Sequence, residues 1–389
     1  MPRNVCAVID DLGEIGPVRN GADVLADDDF KAIHDTRIAI VTNHTGLLLD
    51  GTRTIDALHA NPDVALLRIF APEHGLHGDR DDRFDDSRDD VTGLDVFSLH
   101  GERLRPTSEQ LHGIDIVLFD IQDVGARFYT YISTLGYVLE ACAENRVAVY
   151  VLDRPNPIGG YDVDGPSSDP ECESFVAYHP LPLRHGMTIG ELARLFNVER
   201  EIGADLRVVT MAGWQRSFWF DNCDQPWTDP SPNIRDLGAA ALYPAVGLLE
   251  GTNVSVGRGT ETPFHVIGAP WLDSARFAAA LAHHELPGVA FEAVEFTPDD
   301  RAHPHSGKQC RGVRFAISDM QAMPTAHLAL ALINELRTLH PHEWEYRGLS
   351  ALLARPDLLE AIEDEASELE DLWEPDPDFF DARAKALLY

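Results

Sequence analysis

Lysine is nearly missing from this 389-residue chain: three lysines and twenty-eight arginines face 65 Asp and Glu, for a net charge of −34. So acidic a chain offers no phosphate-neutralising surface, which argues against nucleic acid as a partner. Long apolar runs are lacking as well. No window approaches the roughly 18 uninterrupted apolar residues of a membrane span, and Asp10, Asp11 and Glu14 interrupt the N-terminal stretch before a signal-peptide core can form. A cytoplasmic protein without membrane contact is the expectation. The cysteines, at 6, 142, 172, 223 and 310, are odd in number and lack a C-x-x-C pair. Buried or idle thiols are expected rather than a disulfide framework or a zinc knuckle.

Several reaction classes drop out with their motifs. No G-x-G-x-x-G follows the first strand-like run and no G-x-x-x-x-G-K-[ST] occurs, so the loops that cradle a dinucleotide or a triphosphate are absent. H-E-x-x-H and G-x-S-x-G are absent too, which removes zincins and the serine-hydrolase elbow. The pairs His283-His284 and His303-Pro304-His305 have no third ligand at sensible spacing and read as surface or capping residues. Neither a metal nor an organic cofactor is expected. A Lys-poor, acidic surface suits a high-salt cytosol, where charges are screened within a few ångströms.

What is present is an alternation of strand and helix. Apolar runs at Arg37–Thr42, Val64–Phe70, Ile114–Ile121 and Val147–Leu152 have strand length, and between the last two Ile132, Leu135, Val138, Leu139 and Cys142 fall at helical spacing. That pattern predicts a parallel sheet covered on both faces. Helix and strand signals recur at 187–200 and 206–211. Beyond a loop dense in Trp, Pro and Asp, helices at 271–284, 325–339 and 357–372 mix with strands at 289–296 and 312–317. The fold class read from this is α/β: a Rossmann-like parallel-sheet domain over 1–235 without a dinucleotide site, plus a smaller α+β auxiliary domain over 236–389. The acidic segment 79–90 misses the spacing of a calcium loop and reads as a solvated flap.

Ligands of open α/β sheets sit at the carboxyl ends of the strands, and here every such end is polar. The four runs deliver Asn43-His44-Thr45-Gly46, Pro72-Glu73-His74-Gly75, Asp120-Ile121-Gln122-Asp123 and Asp153-Arg154-Pro155-Asn156. Glu73 follows an apolar strand in a turn stiffened by Pro72 and loosened by Gly75. A carboxyl held at the mouth of a partly apolar cleft suits a general acid in glycoside cleavage; the alternative is a Glu capping the next helix. Glycoside hydrolysis usually asks for a second carboxylate. Asp120, Asp123 and Glu250 are candidates, and a substrate's own 2-acetamido group is another; spacing does not choose among them. The run 250–264, with Glu250, Asn253, Ser255, Arg258 and Thr260, combines glycines that let backbone reach a ligand with an arginine fork that fits a carboxylate. A structural loop with Arg258 in an internal ion pair is the competing reading.

Taken together, TNHTG (42–46), PEHG (72–75), FDIQDVGARFYTYISTL (119–135), VLDRPNPIGG (151–160), LRHGMTIGELA (183–193), SPN (231–233), YPAVGLLEGTNVSVGRGTETPF (243–264) and IGAPW (267–271) resemble the exo-β-N-acetylmuramidases of the NamZ-like family, long known as a domain of unknown function. The resemblance covers nearly the whole chain. It implies a Rossmann-like domain joined to an auxiliary domain with the cleft between them, and release of terminal N-acetylmuramic acid from non-reducing ends of peptidoglycan fragments. It also implies Glu73 as the catalytic residue; the strand-end reading sets His74, Asp120 and Asp123 beside it as further catalytic candidates. Within the matching blocks, Asn43, His44, Gln122, Arg127, Tyr129, Asp153, Arg154 and His185 join Glu250, Asn253, Ser255, Arg258 and Thr260 as candidate substrate contacts. Charge suggests Arg258 or Arg127 for the lactyl carboxylate of muramic acid. His44 stands where the family more often has Gln. The expected partner is a small amino sugar or muropeptide; oligomeric state is left open, a homodimer included.

Overall fold

The computed structural model describes residues 16–79, 84–364, 369 and 371–389, so the flap expected at 79–90 falls partly outside the described residues. Seven strands form the first sheet: β1 (Arg37–Thr42), β2 (Ala65–Ala71), β3 (Ser87–Arg88), β4 (Asp95–Ser98), β5 (Ile116–Asp120), β6 (Ala148–Leu152) and β7 (Leu206–Val209). Their spatial order is β3-β4-β2-β1-β5-β6-β7, and every pairing is parallel except that of the short edge strand β3. Helices α1 (Gly21–Asp27), α2 (Thr54–Ala60), α3 (Ser108–Leu111), α4 (Tyr131–Asn145) and α5 (Ile189–Glu199) accompany it.

Side-chain alternation divides the sheet between two cores. Ile38 and Ile40 of β1 and Ile116 and Leu118 of β5 pack with α1 and α2 on one face, while Val41, Val117 and Phe119 point to the other, against α4 and α5. Both faces are covered, which is why the central strands read as continuous apolar runs. The chain leaves β1 in one direction to reach β2 and β4, and returns to β1's other side with β5. The β1/β5 boundary is therefore the switch point where doubly wound sheets open a ligand crevice. Here that crevice is largely filled: the cavity touching Thr45, Gln122 and Arg154 measures only about 50 Å³.

The second half begins with α6 (Leu237–Val246), which the sequence reading did not anticipate, and carries an antiparallel sheet ordered β8-β10-β9: β8 (Val266–Ala269), β9 (Val289–Phe296) and β10 (Cys310–Ile317). Helices α7 (Ser274–Ala282), α8 (Thr325–Leu339), α9 (Leu349–Leu353), α10 (Pro356–Glu363) and α11 (Pro377–Ala386) complete it. The helix expected from Trp271 starts at Ser274, where Asp273 caps it. The one expected over 357–372 ends at Glu363. The last residues return to the first half: the Tyr389 hydroxyl donates to Asp153 at 2.7 Å, and Leu388 N–H donates to Glu191 at 2.9 Å. Among the described residues no helix is long and apolar enough to cross a membrane.

Candidate active site

Glu73 leaves the carboxyl end of β2 in a turn that Gly75 N–H closes onto the Pro72 carbonyl at 3.0 Å. His74 takes φ 70 and Gly75 φ 75. A left-handed non-glycine residue costs about 1–2 kcal/mol, so this turn is held by its surroundings, and no helix follows for Glu73 to cap. Its carboxylate instead accepts a hydrogen bond from Thr130 Oγ1. Thr130 occupies the N-cap position of α4, yet its hydroxyl caps nothing within that helix. The hydroxyl proton goes instead to the carboxylate, which lies where the positive end of the α4 dipole favours negative charge. His100, just past β4, brings its Nε2 to 3.9 Å from the other carboxylate oxygen.

Around Glu73 is a cavity of about 300 Å³, at the small end of ligand-sized pockets. The first half contributes Glu73, His74, Phe128, Tyr129, Thr130, Val176 and Ser231; the second contributes Tyr243, Glu250, Arg258, Phe264, His303 and Leu352. One wall is aromatic. Phe128 meets Tyr243 at 5.1 Å between ring centres, Tyr129 meets Tyr243 at 5.8 Å, and Tyr243 meets Phe264 at 5.0 Å. Opposite chemistry comes from Arg258, whose Nε lies 2.5 Å from Glu250 and whose guanidinium stands over the Phe264 ring. Of the expected residues, then, Glu73, His74, Tyr129, Glu250 and Arg258 share one cavity.

The others lie around or away from it. Asp120 is fully buried, with Arg154 Nε donating to it at 2.7 Å. Arg154 and Gln122 border the small switch-point cavity instead. Asp123 accepts from Gly125 N–H at 2.8 Å and faces His185 Nε2 at 3.3 Å. Met187 N–H donates to His185 Nδ1 at 3.2 Å. Asn43 supports the wall from behind, donating to the Tyr131 hydroxyl, which in turn donates to the Pro230 carbonyl. His44 bonds the Asp229 carbonyl at 2.6 Å, and burial pushes its imidazole below the usual range.

Arg127 is 1% exposed, donates to the Leu352 carbonyl at 2.8 Å, and is pulled down to about 9 by burial and then by Arg355. It lies behind the wall rather than on it. Asp153 anchors α5 and the C-terminus through Thr188, Gly190 and Tyr389. Asn253 ties its loop to Glu343 and Glu345. Ser255 and Thr260 bond within their own turn, to Gly257. Among the described residues no group of three or more His, Cys, Asp or Glu could hold a metal.

Sequence reasoning missed Phe128, Thr130, Tyr243, Phe264 and His303 on the walls, and His100 beside the carboxylate. A signal existed for His100: it follows a strand, but β4 spans only Asp95–Ser98 and is too short to announce itself. His303 was set aside because its neighbours offered no metal site.

Residues 38–238 match the family model described as exo-β-N-acetylmuramidase NamZ, N-terminal, and residues 241–389 match its C-terminal counterpart. The chain is 44% identical over 331 residues to the peptidoglycan β-N-acetylmuramidase NamZ of Bacillus subtilis (strain 168), a match covering 85% of this chain and 80% of that protein. Two crystal structures of DUF1343 family proteins from Bacteroides fragilis NCTC 9343 superimpose with TM-scores of 0.88 and 0.76, at 32% and 31% identity. Each alignment covers 96% of this chain and 99% of the other. Matches that span both halves of the chain, at this identity, place it in the exo-β-N-acetylmuramidase NamZ family.

Proposed function

We propose that this glycoside hydrolase releases terminal N-acetylmuramic acid from the non-reducing ends of peptidoglycan fragments, with Glu73 as general acid and base. The observation that carries the reading is the placement of Glu73: a carboxyl bonded by Thr130 and lining a monosaccharide-sized cavity, with an aromatic wall and one arginine. Sugars offer apolar C–H faces and polar rims, and the cavity supplies partners for both. Arg258 is the cation that meets the lactyl carboxylate, sharing it with Glu250.

Glu250 is engaged by Arg258 and Asp120 by Arg154, which favours the substrate's acetamido oxygen as the nucleophile. Glu73 gives its proton to the glycosidic oxygen as the C1–O bond breaks and the acetamido oxygen closes on C1. The resulting Glu73 carboxylate takes a proton from water as the water oxygen bonds to C1 and the C1–acetamido oxygen bond breaks, which restores the starting anomer. Glu73→Gln should lower kcat by roughly 100-fold or more while leaving substrate affinity near its original value. Turnover unaltered in that variant, followed with an aryl β-glycoside of N-acetylmuramic acid, removes Glu73 from the mechanism.

A further inference from the structure

Among the described residues that border the Glu73 cavity, the second carboxylate belongs to Glu250. It stands in the helical turn Gly247–Gly251, which the bond from Thr252 N–H to the Leu249 carbonyl closes at 2.9 Å. A Cβ on Gly251 would lie 2.6 Å from the Gly348 carbonyl oxygen, so the backbone under Glu250 is packed with no slack. Arg258 is mounted as firmly: Asp299 N–H donates to the Gly259 carbonyl at 3.0 Å, and Thr260 N–H to that of Gly257 at 3.1 Å. The two side chains meet at 2.5 Å and are only 17% and 19% exposed. Tyr243 ties this pair to the acid. Burial first, then Glu250, hold its phenol well above the usual range, with Arg258 opposing the rise and Glu73 adding to it. One buried hydroxyl thus feels both carboxylates.

Resting on the muramidase reading above, we infer that Glu250 is a second catalytic residue, which accepts the N–H of the substrate's 2-acetamido group and turns the acetamido oxygen onto C1. The layout of the substrate points there. In N-acetylmuramic acid the acetamido group and the lactyl ether are neighbours on the sugar ring, and in the cavity a carboxylate and a guanidinium are neighbours in the same way. An acceptor for the N–H and a donor for the lactyl carboxylate are what those two substituents require. A carboxylate accepts up to about four hydrogen bonds, so the pairing with Arg258 leaves Glu250 acceptor capacity. Charge matters as much as the bond. As the acetamido oxygen closes on C1 and the leaving oxygen takes the proton of Glu73, positive charge develops on the new five-membered ring, whose N–H proton stays on nitrogen. Two carboxylates on one guanidinium leave a net negative charge beside that ring, in place before the reaction starts. The hydroxyls of Tyr129, Ser231 and Tyr243 on the same walls accept an N–H as well but bring no charge.

The test follows first-turnover release of the aryl group from two β-glycosides of N-acetylmuramic acid, one with phenol and one with dinitrophenol as the leaving group. Glu250→Gln keeps the shape and an acceptor but loses the charge, and should slow release from both by about 100-fold with substrate affinity little changed. Glu73→Gln should slow the first and spare the second, because dinitrophenolate leaves without a proton. That split separates activation of the nucleophile from proton donation, and a merely structural lesion at residue 250 would weaken substrate binding instead. Should Glu250→Gln fold poorly, wild-type protein supplies a second measurement. An N-trifluoroacetyl group in place of N-acetyl makes the oxygen a poorer nucleophile, and release should slow by about tenfold or more. Release from both glycosides at the wild-type rate in folded Glu250→Gln, or indifference of wild type to the fluorinated acyl group, overturns the inference and leaves Glu73 to be judged by its own variant. Wild-type protein that cleaves neither glycoside overturns the muramidase reading as well.

Discussion

The hydroxyl of Thr130 makes no cap bond within α4 and donates to the Glu73 carboxylate. Thr130→Val keeps the shape and removes the donor; kcat should fall about tenfold with KM little moved, and Thr130→Ser should recover most of it, as expected for one hydrogen bond to a charged group. Equal rates for the Val and Thr enzymes would mean that the bond only positions the helix. Asp153 makes a different prediction. Burial pushes its carboxyl up to about 7, outweighing the donors from Tyr389, Gly190 and Thr188, with Glu191 adding to the rise. The folded chain thus keeps a proton that the unfolded chain releases near its ordinary value of 3.8. The stability this group contributes is complete below that value and is lost as pH climbs to about 7. The difference in unfolding free energy between wild type and Asp153→Asn, followed from pH 4 to pH 8, should therefore shift against wild type across that window. A difference that is flat in pH would contradict the assignment.

At the scale of elements, α4 carries most of the organisation around the site. Thr130 stands at its N-cap and Tyr131 in its first turn, and farther along Tyr137 and Glu140 line a second cavity. Gly136 lies in its middle, where alanine ordinarily adds about 1 kcal/mol of helix stability. An added methyl there would overlap the Tyr178 ring. Gly136→Ala should accordingly destabilise by about 1–3 kcal/mol, seen as a lower denaturant midpoint at constant slope; a stabilised variant would show that Tyr178 moves freely. The periodicity of α4 was plain in the sequence, and so were β1, β8's neighbours β9 and β10, and α8, each set by local apolar spacing. Less legible were α6, an unbroken apolar stretch with Pro244 inside it, and β4 with four residues. Short or uniformly apolar segments carry no period to read.

For the molecule as a whole the dominant quantity is charge. A net −34 spread over 389 residues stores repulsion that salt relieves, since the screening length falls from about 10 Å at 0.1 M to about 3 Å at 1 M. The melting temperature should rise steadily across that range of sodium chloride, and a curve flat in salt would detach the acidic composition from any high-salt adaptation. The same scale explains what could be foreseen. Local pattern fixed the longer strands, the polar residues at their ends and the special turn at Glu73, because periodicity and turn chemistry act over a few residues. It did not decide which polar groups meet: Asp120 went to Arg154, Asp153 to Tyr389, Arg127 behind the wall, while His100, Thr130 and Tyr243 came to the cavity. Those choices depend on strand order, which seats β2 beside β1 and β1 beside β5, and on the second half closing over that edge from more than a hundred residues away. Packing contacts at such separations are settled by the assembled surfaces, where volume and charge must match, and leave no mark in the spacing of the chain.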